Sequence, residues 1–71
     1  MDWKERVVQE YKELKERYNK LHKMIIKYEA GTLDFTPNCP LGLLKEQEKY
    51  MGEYLIVLEI RAEIEDIDLE V

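Results

Sequence analysis

The stretch from Leu43 to Ile64, LLKEQEKYMGEYLIVLEIRAEI, constrains this chain more than any other, because its apolar residues recur at helical spacing on two faces instead of one. One face carries Leu44, Met51, Leu55, Leu58 and Ala62; the other carries Tyr50, Val57, Ile60 and Ile64. A helix formed here has more apolar surface than the single partner of a hairpin can cover, and self-association is the means of hiding the surplus. Between the two faces Gln47, Tyr54 and Arg61 step by seven residues, which aligns an amide, a phenol and a guanidinium along one stripe.

The rest of the chain supplies one partner helix and little else. With 71 residues it forms a single domain, 1–71, too short for a two-helix hairpin alone to bury a comfortable core. Cys39 is the only cysteine, so no intrachain disulfide can staple the fold, and an unpaired thiol fits the reducing cytoplasm. His22 is the only histidine and has no companion ligand, so neither a metal site nor another cofactor is expected. Oligomerisation is the remaining source of core, and a homo-oligomer is the expected state.

In chain order, Asp2 followed by Glu5 is a capping-box pattern, and it predicts a first helix over about 3–29. Val7, Tyr11, Leu14, Tyr18, Leu21, Ile25 and Tyr28 alternate steps of four and three, a coiled-coil-like seam. Trp3, Val8, Met24 and Ile26 widen that seam towards bundle packing. Tyr11, Tyr18 and Tyr28 stand either at the core edge with hydroxyls in water or along a groove where an aromatic ligand stacks. Gly31 ends the helix and opens a loop over 30–39, where Leu33 and Phe35 are expected to pin the chain to the hairpin and 32–35 can be extended. Asn38 or Cys39 is the expected cap of a second helix over about 40–63, with Pro40 in its first turn. Gly52 leaves room for a helix or ligand to approach the backbone. In the acidic tail, 64–71, Ile67, Leu69 and Val71 alternate with acids, a period of two that allows a short C-terminal strand as readily as a frayed helix end or disorder. The expected fold is all-α: an antiparallel two-helix hairpin that oligomerises.

Charge narrows the choice of partner. The net charge of −5 argues against a nucleic-acid polymer, whose phosphates require excess Lys and Arg. Residues 1–29 carry eight cations against six acids, and the remainder three against ten, so a small anion can still meet a locally basic surface. No apolar run approaches the ~18 residues of a membrane span, so no membrane partner is expected and the cytoplasm is the predicted location. There are no paired carboxylates, and Cys39 has no base: His22 lies mid-helix among lysines without an Asp or Asn beside it. The chain does not read as an enzyme.

The segments EYKELKERYNKLHKMI and LLKEQEKYMGEYLIVLEIRAE resemble a family of small helical-hairpin proteins of bacteriophages, first noticed in crAss-like phages. The resemblance rests on Leu14, Arg17 and Leu21 in the first helix and on Leu44, Gln47, Met51, Tyr54, Leu58 and Arg61 in the second; the loop TLDFTPNCP departs from it. It implies a phage protein acting in the host cytoplasm. By analogy with unrelated small phage proteins, that role is anti-defence: sequestering a nucleotide-derived immune signal, of ADP-ribose type from Thoeris or a cyclic oligonucleotide from CBASS, without cleaving it. The residues suited to such a ligand are Gln47, Tyr54 and Arg61, with Tyr50, Tyr18 and Asn38: tyrosine faces stack bases, Arg61 offers a two-pronged fork for phosphate, Gln47 reads a base or ribose edge, and Asn38 lies at a helix start. The same stripe has a structural alternative, with Arg61 paired to Glu65 or to an acid of a neighbour. The alternative function is an oligomeric interaction adaptor or direct inhibitor of a defence protein, which the surplus apolar area fits equally.

Overall fold

The computed structural model describes residues 2–70. Two helices, α1 (Trp3–Ala30) and α2 (Leu41–Ile64), pack side by side. They run antiparallel: Tyr11 near the start of α1 meets Glu59 near the end of α2, and Glu29 at the other end meets Lys45. Among the described residues there is no strand.

Local chemistry sets the helix ends. Asp2 caps α1, its carboxylate accepting the Glu5 N–H at 2.9 Å. Gly31 stops the helix with φ +76°, a left-handed conformation that leaves the Thr32 and Gly31 amides to reach back to the carbonyls of Lys27 and Tyr28. At α2 the capping differs from expectation. Neither Asn38 nor Cys39 caps; Pro40 occupies the cap position without a side-chain bond, and its carbonyl accepts from Leu43 and Leu44. Asn38 and Cys39 lie two and one residues upstream of the cap, outside the position from which a side chain reaches the first-turn amides.

Val7, Tyr11, Leu14 and Ile25 of α1 and Leu55, Leu58 and Ala62 of α2 are buried, with Met51 and Tyr18 partly buried against their centre. Tyr28, the last seam position, is instead exposed, although the last turn of α1 faces the first turn of α2. Leu33 is half-buried while Phe35 stands out in solvent, so only the former holds the loop down, and 32–35 forms no strand. The alternation in the tail also makes no strand. Asp66 adopts φ +55°, the Ile67 amide bonds the Ala62 carbonyl, and the chain turns so that Leu69 packs on the core cluster. Val71 lies outside the described residues.

The hairpin measures 42 × 18 × 18 Å, with a radius of gyration of 14.7 Å. A compact globule of this length would have about 11 Å. Its accessible surface of 5497 Å² exceeds the roughly 4,700 Å² of a globular monomer of the same mass. The surplus lies partly on α2, whose second apolar face (Leu43, Tyr50, Val57, Ile60, Ile64) is at least half exposed at every position. Among the described residues no helix is long and apolar enough to cross a membrane.

Candidate ligand-binding site

α2 is apolar on its inner face because that face meets α1, and the residues just outside the contact form a flank that both helices share. On this flank stand Gln47, Tyr54 and Arg61, all exposed. The Tyr54 hydroxyl donates to the Glu10 carboxylate of α1. That bond, with some desolvation, holds the phenol proton and raises the Tyr54 pKa above its ordinary value, while the nearby Arg61 charge pulls it the other way. Arg61 takes part in no ion pair among the described residues; Glu65 meets it only through the backbone, its N–H donating to the Arg61 carbonyl. The guanidinium fork is therefore unspent. Tyr50 is exposed on the same side of α2, its ring 5.6 Å from the Lys49 ammonium.

Tyr18 belongs to the opposite flank. Gly52 faces it, and a Cβ at position 52 would meet its ring at 3.3 Å, so the room left by the glycine is filled by this ring. On its other side Tyr18 stacks on His22, with centroids 5.9 Å apart and planes within 8°. His22 does have a carboxylate partner, contrary to expectation: Glu48 of α2 lies 2.6 Å from its Nδ1. A groove of about 420 Å³ runs past Tyr18 and Gly52, bordered by Lys15 and Lys49 but equally by Glu53 and Glu59. These charges balance, and Lys15 is occupied in donating to the Tyr11 hydroxyl at 3.1 Å. Tyr11 in turn donates to Glu59 at 2.7 Å, a bond that, with burial, raises its own pKa. The Tyr11 hydroxyl is thus bonded to protein.

Asn38 is exposed in the loop, at the far end of the hairpin from Arg61. Within one protomer, then, four of the six expected residues share one side of α2, Tyr18 lines the balanced groove, and Asn38 stands apart. Glu10 is the site neighbour that sequence reasoning missed. It lies one heptad before Arg17, but which α2 residue it meets depends on the register of the hairpin, which no residue spacing reveals. Also unexpected is a shallow hollow at the loop end, where Phe35 faces Lys20, Lys23 and Lys27 with Asp34 on its rim.

No curated protein and no solved structure matches the chain. A family model described as Sequestin matches residues 1–64, so the chain belongs to the Sequestin family.

Proposed function

We propose that this chain binds and holds a small nucleotide-derived signal without converting it, as a phage-encoded anti-defence protein of the host cytoplasm. The signal would be of ADP-ribose type, as in Thoeris, or a cyclic oligonucleotide, as in CBASS. Membership of the Sequestin family is the observation that carries this reading, since the family's name denotes sequestration. The exposed side of α2 supplies chemistry to match: Tyr50 and Tyr54 offer faces for a base, Gln47 an amide for its edge, and Arg61, in no ion pair among the described residues, a fork for phosphate. Tyr18 and Asn38, placed elsewhere in one protomer, would reach the ligand only from another copy. Copies associate through the exposed apolar side of α2, and interfaces between subunits are common places for ligand pockets.

Thermal melting with ADP-ribose and with cyclic dinucleotides tests the proposal. A ligand present at 100 times its dissociation constant stabilises the folded state by about 2.7 kcal/mol. One of these nucleotides is expected to raise the melting temperature and to be recovered unchanged on denaturation, and Arg61→Ala to remove the shift while leaving the assembly intact. If no nucleotide shifts the melt, sequestration is refuted and the same apolar side is that of an interaction adaptor.

A further inference from the structure

At the loop end of the hairpin, α1 and the loop line the hollow of about 270 Å³ in which Phe35 faces three lysines. Local chemistry builds it. The left-handed Gly31 turns the chain back, and the Thr32 N–H donates to the Lys27 carbonyl at 2.9 Å, so the loop returns beside the last turns of α1. Half-buried Leu33 ties it there, and two residues on Phe35 stands 55 % exposed. Half-buried Met24 lines the hollow from the helix, with Lys20, Lys23 and Lys27 around it.

The helix by itself does not account for these cations. Lys27 lies in the last turn of α1, where a positive charge complements the dipole. Lys23 and Lys20 stand about one and two turns earlier, beyond the reach of that effect. Lys20 meets Glu16 at 3.1 Å on the exposed surface, whereas Lys23 and Lys27 take part in no ion pair among the described residues. Three cations against Asp34 leave the hollow at 3 − 1 = +2 in a chain whose net charge is −5.

We propose that this hollow is a docking site for an acidic segment of a protein partner. One apolar side chain of that segment packs against Phe35, Leu33 and Met24, and acids on either side of it meet Lys20, Lys23 and Lys27. This goes beyond sequestration and does not depend on it. Size and charge select the occupant. Sites that enclose a small molecule run to roughly 300–1,000 Å³ and bury most of it; this shallow hollow is smaller and takes one or two side chains. An aromatic and a methionine at the centre with charges at the rim is the usual anatomy of a protein contact, and one this small is weak and transient. Lys20 and Lys27 are about 10 Å apart along α1 at 1.5 Å per residue. An extended segment advances ~3.3 Å per residue, so two acids three or four residues apart, with the apolar anchor between them, span the lysines. The rest of the acidic chain repels such a segment, and the field steers it to this end. The chain's own tail has a similar composition but is already engaged: the Ile67 amide bonds the Ala62 carbonyl and Leu69 packs on the core cluster, at the opposite end of the hairpin.

Selection of displayed random peptides on the immobilised wild-type chain, with counter-selection on a chain carrying Lys23→Glu, Lys27→Glu and Phe35→Ala together, tests the proposal. The enriched peptides should carry an apolar residue with acids on both sides. A fluorescein-labelled copy of the most enriched one is then titrated by anisotropy. Phe35→Ala should weaken its binding tenfold or more, mainly through faster dissociation. Lys23→Glu with Lys27→Glu should weaken it tenfold or more, in large part through slower association, and should flatten its salt dependence. All three side chains are exposed, so the variants should keep the helical circular dichroism of the wild type. Enrichment of no peptide, or of peptides without acids, overturns the site. Binding unchanged by Phe35→Ala overturns the apolar anchor, and binding unchanged by the lysine reversals overturns the charge reading. Displacement of the peptide by ADP-ribose makes the hollow a nucleotide site and overturns the protein partner. Each of these results leaves the sequestration reading where the melting experiment puts it.

Discussion

Leu58 and Val57 are adjacent on α2 and about 100° apart around its axis, the one buried and the other exposed, so truncating each separates the fold of the hairpin from the assembly of hairpins. Leu58 is 0 % exposed, at the centre of the cluster formed with Tyr11, Leu14 and Leu55. Removing three carbons there by Leu58→Ala should destabilise by about 3 kcal/mol, within the 2–5 kcal/mol seen when buried leucines are truncated. A chain of this length has on the order of 4–10 kcal/mol in total, and the melting temperature should fall by roughly 12–24 °C. Val57 is 50 % exposed and packs on nothing central in the protomer. In a lone hairpin Val57→Ala should change stability by no more than about 0.5 kcal/mol, since alanine also has the better helix propensity. In the proposed assembly it lies on the side of α2 where copies meet, and its loss should lower the melting temperature in a manner that fades as protein concentration rises. Urea and thermal unfolding of both variants, at protein concentrations a hundredfold apart, provide the assay. If Leu58→Ala costs less than about 1 kcal/mol, the assigned core is wrong. If Val57→Ala is neutral at every concentration, association through this side of α2 is wrong.

Two further perturbations probe contacts across the hairpin. Because Tyr11 donates to Glu59 and is buried, its pKa is raised on folding above the free phenol value of 10.0; the stability this provides is fully present below the unfolded pKa and is lost as pH rises through the folded one. Tyr11→Phe should therefore cost about 1 kcal/mol at neutral pH and progressively less above about pH 10, read by urea titration at each pH. Gly52→Ala should gain most of its roughly 1 kcal/mol of helix propensity only in a Tyr18→Ala background, because the new Cβ otherwise presses on the Tyr18 ring at 3.3 Å; a double-mutant cycle with no coupling between the two positions would contradict that contact.

The hairpin was legible in the sequence because burial on one face leaves a heptad record: Val7, Tyr11, Leu14 and Ile25 on α1 and Leu55, Leu58 and Ala62 on α2 are all inside. The α1 ends were legible for local reasons, an aspartate one turn ahead of its amide and a glycine able to take positive φ. What failed was whatever depended on which residues meet across the chain. Tyr28 continues the seam pattern, yet it is exposed beside the first turn of α2. The alternating tail mimics a strand, yet Asp66 folds it back and spends Leu69 on the existing core. The bonds from His22 to Glu48, Tyr11 to Glu59 and Tyr54 to Glu10 all depend on hairpin register, which heptads specify only to within a turn. The stripe of Gln47, Tyr54 and Arg61 was visible as a stripe, because seven-residue spacing suffices for that; that Arg61 pairs with no acid among the described residues could be learned only from the fold.

The central claim is that the exposed side of α2 brings copies together and that the sites lie where they meet. Sedimentation equilibrium from micromolar to millimolar protein, with and without ADP-ribose, tests it most directly. The expected mass is a multiple of 8.6 kDa, shifting to the single-chain mass in Val57→Glu. A folded species that stays at the single-chain mass throughout and still binds ADP-ribose would contradict it.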